Sequence, residues 1–230
     1  MGITEPFQLR DGWILADTMV DTYAEIAEEA FAQFLSEKAG AVTRPEVEHD
    51  ADAYHEHEKR KKMMGIKTIV FSAMALEAAA YEFATLQLGE HLAKKYLDKL
   101  DVVGKWLVIP RLVCGRSLRE DGPAINGLKL LVKSRNALVH HKSKEWDSTI
   151  KTSDTLNAIK EQRARFENFQ VPNAFKTLIL LSLELNAVLQ AVGPLPSFED
   201  NWIHATPCDP LVAQVIHRCR EAHRKNWQGV

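Results

Sequence analysis

No proline interrupts the chain between Pro45 and Pro110, so a single helix can run from Tyr54 to Leu88. Its first half, YHEHEKRKKMM, is charged, and its second, GIKTIVFSAMALEAAAYEFATLQL, is apolar on nearly every side. A helix that is apolar all round has no face to offer water and must be enclosed by other helices. This segment therefore constrains the fold more than any other, and it predicts an all-α bundle with Ile66 to Leu88 at its centre. No stretch alternates apolar and polar residues long enough to read as a strand.

The neighbours of that central helix are visible as further periodic segments. Asp17 to Lys38 places Met19, Tyr23, Ile26, Ala27, Ala30, Phe31, Phe34 and Leu35 on one face and stops at Gly40, predicting an N-terminal amphipathic helix. Ala41 to Ala53 is acidic and contains Pro45, which predicts a loop. His91 to Leu100 and Lys105 to Val113 read as shorter helical pieces. Gly122-Pro123 opens another helix, Ser153 to Phe169 is a polar one, and Pro172 to Val192 is strongly apolar until Gly193-Pro194. A basic helix is expected around Asp209 to Lys225. The 230 residues show no repeat and no clear boundary, so they are read as one domain: a core of about residues 54–192, a helix at 17–38 and a basic tail at 197–230.

Composition narrows the functional classes. With 46% hydrophobic residues, a net charge of -2 and a pI near 6.5, the chain is not a globally cationic nucleic-acid binder, and any RNA contact must come from a local patch. Cys114, Cys208 and Cys219 have no CxxC spacing, which predicts ordinary thiols in a reducing compartment and no cysteine-based zinc site. The N-terminus has no charged start followed by an apolar stretch. The longest apolar run, Phe175 to Val192, is broken by Lys176, Glu184 and Asn186. The expectation is a cytoplasmic protein without a membrane partner.

The chemistry gathers in Leu128 to Lys144, LKLLVKSRNALVHHKSK. At about 100° per residue, Leu130, Leu131, Val132, Ala137, Leu138 and Val139 are read as one broad apolar arc, with Lys129, Lys133, Asn136 and His140 opposite. Arg135 falls inside the apolar arc, where a guanidinium needs a partner because an unpaired buried charge costs several kcal/mol. Glu77 is the corresponding oddity of the central helix, sharing a side with Ile66, Val70, Tyr81 and Ala84. A Glu77–Arg135 pair across the bundle is therefore predicted, with Glu82 as the second choice.

The run Arg135-Asn136-Ala137-Leu138-Val139-His140 resembles the signature of the HEPN domains, all-α bundles defined by an Arg, four to six residues and a His. FSAMALEAAAYEFA resembles the glutamate-bearing helix of the same family, and the likeness spans roughly residues 54–192. Two other segments match the spacing, Arg44 to His49 and Arg218 to His223, but the first precedes Pro45 in an acidic loop and the second lies in the tail. The resemblance implies a homodimeric endoribonuclease that needs neither metal nor cofactor and leaves 2′,3′-cyclic phosphate and 5′-OH ends. It implies His140 as the proton-transfer group, Arg135 as the stabiliser of phosphate charge and Asn136 as an orienting donor. Glu77 and His141 support them, and Lys133, Lys142 and Lys144 attract RNA phosphates.

A toxin or antiviral effector restrained by an antitoxin or other regulatory protein would fit that activity. The alternative is a non-catalytic HEPN-like module binding RNA, a nucleotide or a partner protein through the same cleft. Relatives regulated by nucleotidyl transfer often carry Tyr two residues after the His; Lys142 stands there, so adenylylation is not implied.

Other polar clusters read more simply. His49 to Glu58 is dense in possible metal ligands, yet acids at a helix start explain it, and no metal is expected. Lys59-Arg60-Lys61-Lys62 reads as a solvated helix face, and Arg218, Arg220, His223, Arg224 and Lys225 as a basic tail surface, with RNA contact the alternative for both.

Overall fold

The computed structural model describes residues 18–40, 51–140, 152–199 and 208–227. Among these residues the chain is helical without strands, as the periodicity predicts. The helices are α1 (Val20–Ala39), α2 (Ala51–Leu88), α3 (Val102–Cys114), α4 (Pro123–Val139), α5 (Thr152–Arg165), α6 (Val171–Leu189) and α7 (Pro210–Trp227).

Helix α2 is the axis. From Met64 to Leu88 every residue but Lys67 is buried or half-buried, with Ile69, Leu76, Ala79 and Ala80 fully enclosed. Its length and apolarity would suffice to cross a membrane, but 56% of its apolar window is buried inside the bundle. Helix α1 lies antiparallel to it, since Tyr23 meets Phe71 near one end and Glu37 meets His57 near the other. Helix α6 runs parallel to α2 and antiparallel to α4. Glu58 faces Arg163, Gly65 faces Val171, Gly127 faces Thr177 and Gly122 faces Glu184.

The first and last helices belong to this core. Phe31 and Phe34 of α1 are completely buried, and Phe31 stacks on Phe175 of α6 with ring centroids 4.8 Å apart. In α7, Val212, Ile216 and Cys219 are buried against the bundle, and Phe198, after α6, packs edge-on to Phe175 at 6.3 Å. The basic tail predicted from sequence is thus a surface only on its outer side.

Several boundaries differ from the sequence reading. Helix α2 begins at Ala51, so Asp52 and Ala53 are helical rather than part of the loop, an acidic start that favours the positive end of the helix dipole. Met19 precedes α1 and is exposed. The short helical piece expected at His91 to Leu100 is present over Glu90–Leu97, as an α-turn, Glu90–Leu92, continued by a π-type segment, Ala93–Leu97. Helices α5 and α6, predicted as separate, are joined through a π-type turn, Phe166–Gln170, in which the Val171 N–H reaches back to the Phe166 carbonyl. Pro172 has no N–H to continue the ordinary ladder, and the widened turn carries the chain past it without a break.

Three local features set where α4 lies. Trp106 of α3 is fully buried and donates from its indole N–H to the Leu76 carbonyl at 3.1 Å, fixing α3 to α2. Asp101 caps α3 through the Gly104 N–H, and Gly115 closes it with φ +74°, a left-handed conformation that suits glycine. Gly127 lets α4 approach α6 closely, because a Cβ there would stand 2.5 Å from the Thr177 hydroxyl oxygen.

Candidate functional site

The buried side of α4 consists of Ala124, Ile125, Gly127, Leu128, Leu131 and Ser134. Arg135 projects from the same side one turn further on, where the bundle thins, and its side chain is 26% exposed. Its Nη2 donates to Glu77 Oε2 at 2.9 Å, the pair predicted from the two charges embedded in apolar faces. Glu77 is itself 45% exposed, so the ion pair sits at the rim of the bundle rather than in its interior. The second terminal nitrogen of Arg135, Nη1, donates to Asn136 Oδ1 at 3.1 Å. Glu77, Arg135 and Asn136 thus form one chain of charge-assisted hydrogen bonds leading from α2 to the outer face of α4.

Helix α4 ends at the next functional residue. His140 is its C-cap, with φ -103° and ψ 33°, and its N–H donates to the Asn136 carbonyl at 2.9 Å. The imidazole is exposed. Arg135 and His140 are about 7.5 Å apart along the axis and about 140° apart around it, so one ideal helix does not aim both at a single atom. Asn136 lies only about 40° from His140 around the helix and shares its exposed stripe.

The apolar arc read from sequence is narrower than expected. Leu131 is buried and Val132 and Leu138 are half-buried, but Ala137 is exposed, as are Leu130 at 53% and Val139 at 58%. Leu130 and Ala137 point away from α2 and α6, and Val139 lies at the last turn beyond the packed part of the bundle. Lys133 is exposed, as expected. His141, Lys142 and Lys144 lie outside the described residues. The second choice for Arg135, Glu82, is engaged elsewhere: its carboxylate accepts the Met19 N–H at the start of α1. Burial raises its pKa above 4.5, against the lowering effect of that hydrogen bond.

In the basic run after Tyr54, Lys59, Arg60 and Lys62 are exposed, as expected of a solvated face, and Lys61 is the exception. Lys61 is buried, with Nζ 3.0 Å from Glu58 and 3.2 Å from Glu167, and Arg163 pairs with both of those carboxylates. His57 is also buried, 2.7 Å from Glu37, which Arg60 approaches at 3.4 Å. Burial alone would raise the Glu167 carboxyl, but hydrogen bonds and charge from Arg163 and Lys61 outweigh it and hold the pKa below 4.5. This cluster ties α1, α2 and α5 together. The i, i+3 spacing of Glu58 and Lys61 offered half of it in sequence; Glu167, more than a hundred residues away, could not be assigned from spacing.

A second buried carboxylate was legible only as an interruption. Glu184, in the longest apolar run, accepts the Arg119 N–H at 2.7 Å and approaches Gly122, the residue preceding α4. It lines a small cavity of about 20 Å³ with Arg119, Pro123, His223 and Trp227. Burial raises its pKa, opposed by the Arg119 N–H and charge. Its place beside the N-terminus of α4 makes it an anchor for the helix that carries the site.

Among the described residues no group of three or more His, Cys, Asp or Glu side chains has the arrangement of a metal site. Cys208 and Cys219 are held as thiols, their pKa values pushed up to about 12 and about 11, in both cases mainly by burial. No family model, curated protein or solved structure matches the chain.

Proposed function

We propose that the chain is a homodimeric endoribonuclease of the HEPN type, acting through Arg135, Asn136 and His140. The observation that carries the reading is the link from Glu77 through Arg135 to Asn136, which fixes a cation and an amide at the end of α4 next to an exposed histidine. A fixed cation beside a solvent-accessible imidazole is the minimum equipment for cleaving RNA at its own 2′-OH.

In this mechanism neutral His140 takes the proton from a ribose 2′-OH, and the O2′ forms a bond to phosphorus. The bond from phosphorus to the 5′-oxygen breaks, and that oxygen takes up a proton, either from water or from a protonated His140 of the second subunit. The products are a 2′,3′-cyclic phosphate and a 5′-OH. Arg135 stabilises the charge that gathers on the non-bridging oxygens. Glu77 occupies one edge of the guanidinium and orients the rest of it. The angular separation of Arg135 and His140 calls for two copies of α4 around one phosphate. Leu130 and Ala137, exposed residues about 20° apart around that helix, are surface that a second copy would cover.

The chemistry is tested with an RNA oligonucleotide cleaved by the wild-type protein and with its copy carrying a single 2′-deoxy substitution at the cleaved position. The expected outcome is a cyclic phosphate by mass spectrometry on the first and no cut at that position on the second. Cleavage of the deoxy copy, or a 5′-phosphate product, would overturn the mechanism. Binding of RNA, a nucleotide or a protein without turnover would instead favour the non-catalytic module.

A further inference from the structure

Helix α4 carries no Asp or Glu over its whole length, PAINGLKLLVKSRNALV. On its outer side Lys129, Lys133, Asn136 and His140 fall within about 60° of one another, all four exposed. Successive members are separated by about 4.5–6 Å along the axis, a spacing comparable to that of consecutive phosphates in an extended single strand. Among the described residues Lys129 reaches a backbone carbonyl, that of Glu120 at 3.4 Å, and neither Lys129 nor Lys133 has an ion-pair partner. Within the described helices both charges are left for an external anion.

Asn136 completes the row in a specific way. Its Oδ1 is occupied by Arg135, and among the described residues the two amide N–H donors of this exposed side chain have no acceptor, within one turn of Lys133 and His140. The amide is thereby set as a donor, the polarity a phosphate oxygen requires.

We infer that the exposed stripe of α4 is a track for single-stranded RNA, in which Lys129, Lys133 and Asn136 hold successive phosphates and lead the strand to His140. The inference rests on the ribonuclease reading for its substrate class and adds the form of the RNA and the direction of its path. A single row of cations on one convex helix follows one flexible backbone. Duplex RNA carries its phosphates on two rigid strands, so a straight row on one helix reaches fewer of them. A strand that is unpaired can also turn its 2′-OH into line with the bond that breaks.

The test uses a fluorescently labelled 2′-O-methyl single strand, which cannot be cleaved through its 2′ position, and a duplex of the same length. Affinity is measured by anisotropy over a range of salt concentrations for the wild type, Lys129→Gln, Lys133→Gln and the double variant. Each lysine that releases a counterion from a single strand contributes about 0.7 to the slope of log affinity against log salt. The double variant should therefore be shallower by about 1.4, and the duplex should bind more weakly than the single strand. Asn136→Asp keeps an acceptor for Arg135 but replaces the donors with a charge, and should lower affinity about tenfold or more at unchanged melting temperature.

An unchanged slope in the double variant, no binding by the wild type, or tighter binding of duplex would overturn the track. Cleavage of unmodified RNA with an unchanged slope would leave the ribonuclease standing without it. Lysine-dependent binding with no cleavage would do the reverse.

Discussion

Replacing Gly127 with alanine sets two physical effects against each other, and the structure decides their order. Gly127 lies inside α4, where glycine is less favourable than alanine by about 1 kcal/mol, so helix propensity alone predicts that Gly127→Ala stabilises. The packing predicts the reverse. The new methyl would stand 2.5 Å from Thr177 Oγ1, a distance real Cβ atoms do not tolerate, and that hydroxyl is buried and already donates to the Asn173 carbonyl at 2.7 Å. Asn173 in turn donates to the Gly127 carbonyl at 3.0 Å, so moving α4 away from α6 strains a second bond. Overpacking of this kind costs about 1–3 kcal/mol, and disturbing the hydroxyl adds about 1. After the propensity gain is subtracted, the net loss is about 1–3 kcal/mol, or roughly 2–12 °C in melting temperature for a domain of this size. In a Thr177→Ala background the hydroxyl is gone and the nearest Thr177 atom to the added methyl, its Cβ, lies 3.5 Å away. There Gly127→Ala should raise stability by about 1 kcal/mol. Urea unfolding of the four proteins of this cycle gives both numbers. Stabilisation by Gly127→Ala in the wild-type background would refute the close approach of α4 to α6, and with it the placement of the site.

The charged cluster and the buried carboxylate make further predictions. Lys61→Met preserves the stem but leaves Glu58 and Glu167 with Arg163 alone, and should cost about 2–3 kcal/mol by denaturant unfolding; a loss within about 0.5 kcal/mol, as at an ordinary surface site, would return Lys61 to a solvated face. Glu167 has a folded pKa below 4.5, so its contribution is present above that value and disappears as pH falls through the folded one. The acid limb of a stability profile should therefore be shallower in Lys61→Met. Glu184 has the opposite sign: its raised folded pKa favours the protonated form, and stability is lost as pH rises from 4.5 through the folded value. Glu184→Gln should remove that decline, and a profile identical to wild type across the interval would contradict the burial assigned to this carboxylate.

The fold was legible in the sequence wherever one helix dictates its own environment. The all-round apolarity of Ile66 to Leu88 placed it at the centre without any knowledge of its neighbours, because no other location satisfies such a helix. Gly122-Pro123 marked the start of α4 to the residue, since proline at the first helical position loses no hydrogen bond. The Glu77–Arg135 pair was legible for a related reason, in that a charge in an apolar face implies a partner and only a few candidates existed.

What the sequence did not carry was anything that depends on how helices are offset. Val139 looked like a core residue because periodicity gives the angle around an axis but not where the neighbouring helices end, whereas Leu130, about 180° from it, was counted into too broad an arc. Lys61 looked solvated because its partner Glu167 is contributed by a distant π-type turn. Met19 looked buried by angle, yet it lies just before the first turn of α1. The continuity of α5 and α6 was hidden by Pro172, which usually marks a helix start and here follows a widened turn. At the site, the stripe of Lys129, Lys133, Asn136 and His140 was readable, but the orientation of the Asn136 amide was not, since it follows from the hydrogen bond to Arg135.

The most direct test of the account incubates purified wild-type protein, Arg135→Ala and His140→Ala with mixed RNA in the presence of a chelator, and resolves the products on a denaturing gel. The account predicts cleavage by the wild type, loss of about a hundredfold or more in rate for each variant, and circular dichroism spectra that match in all three. Cleavage by both variants at the wild-type rate would contradict it.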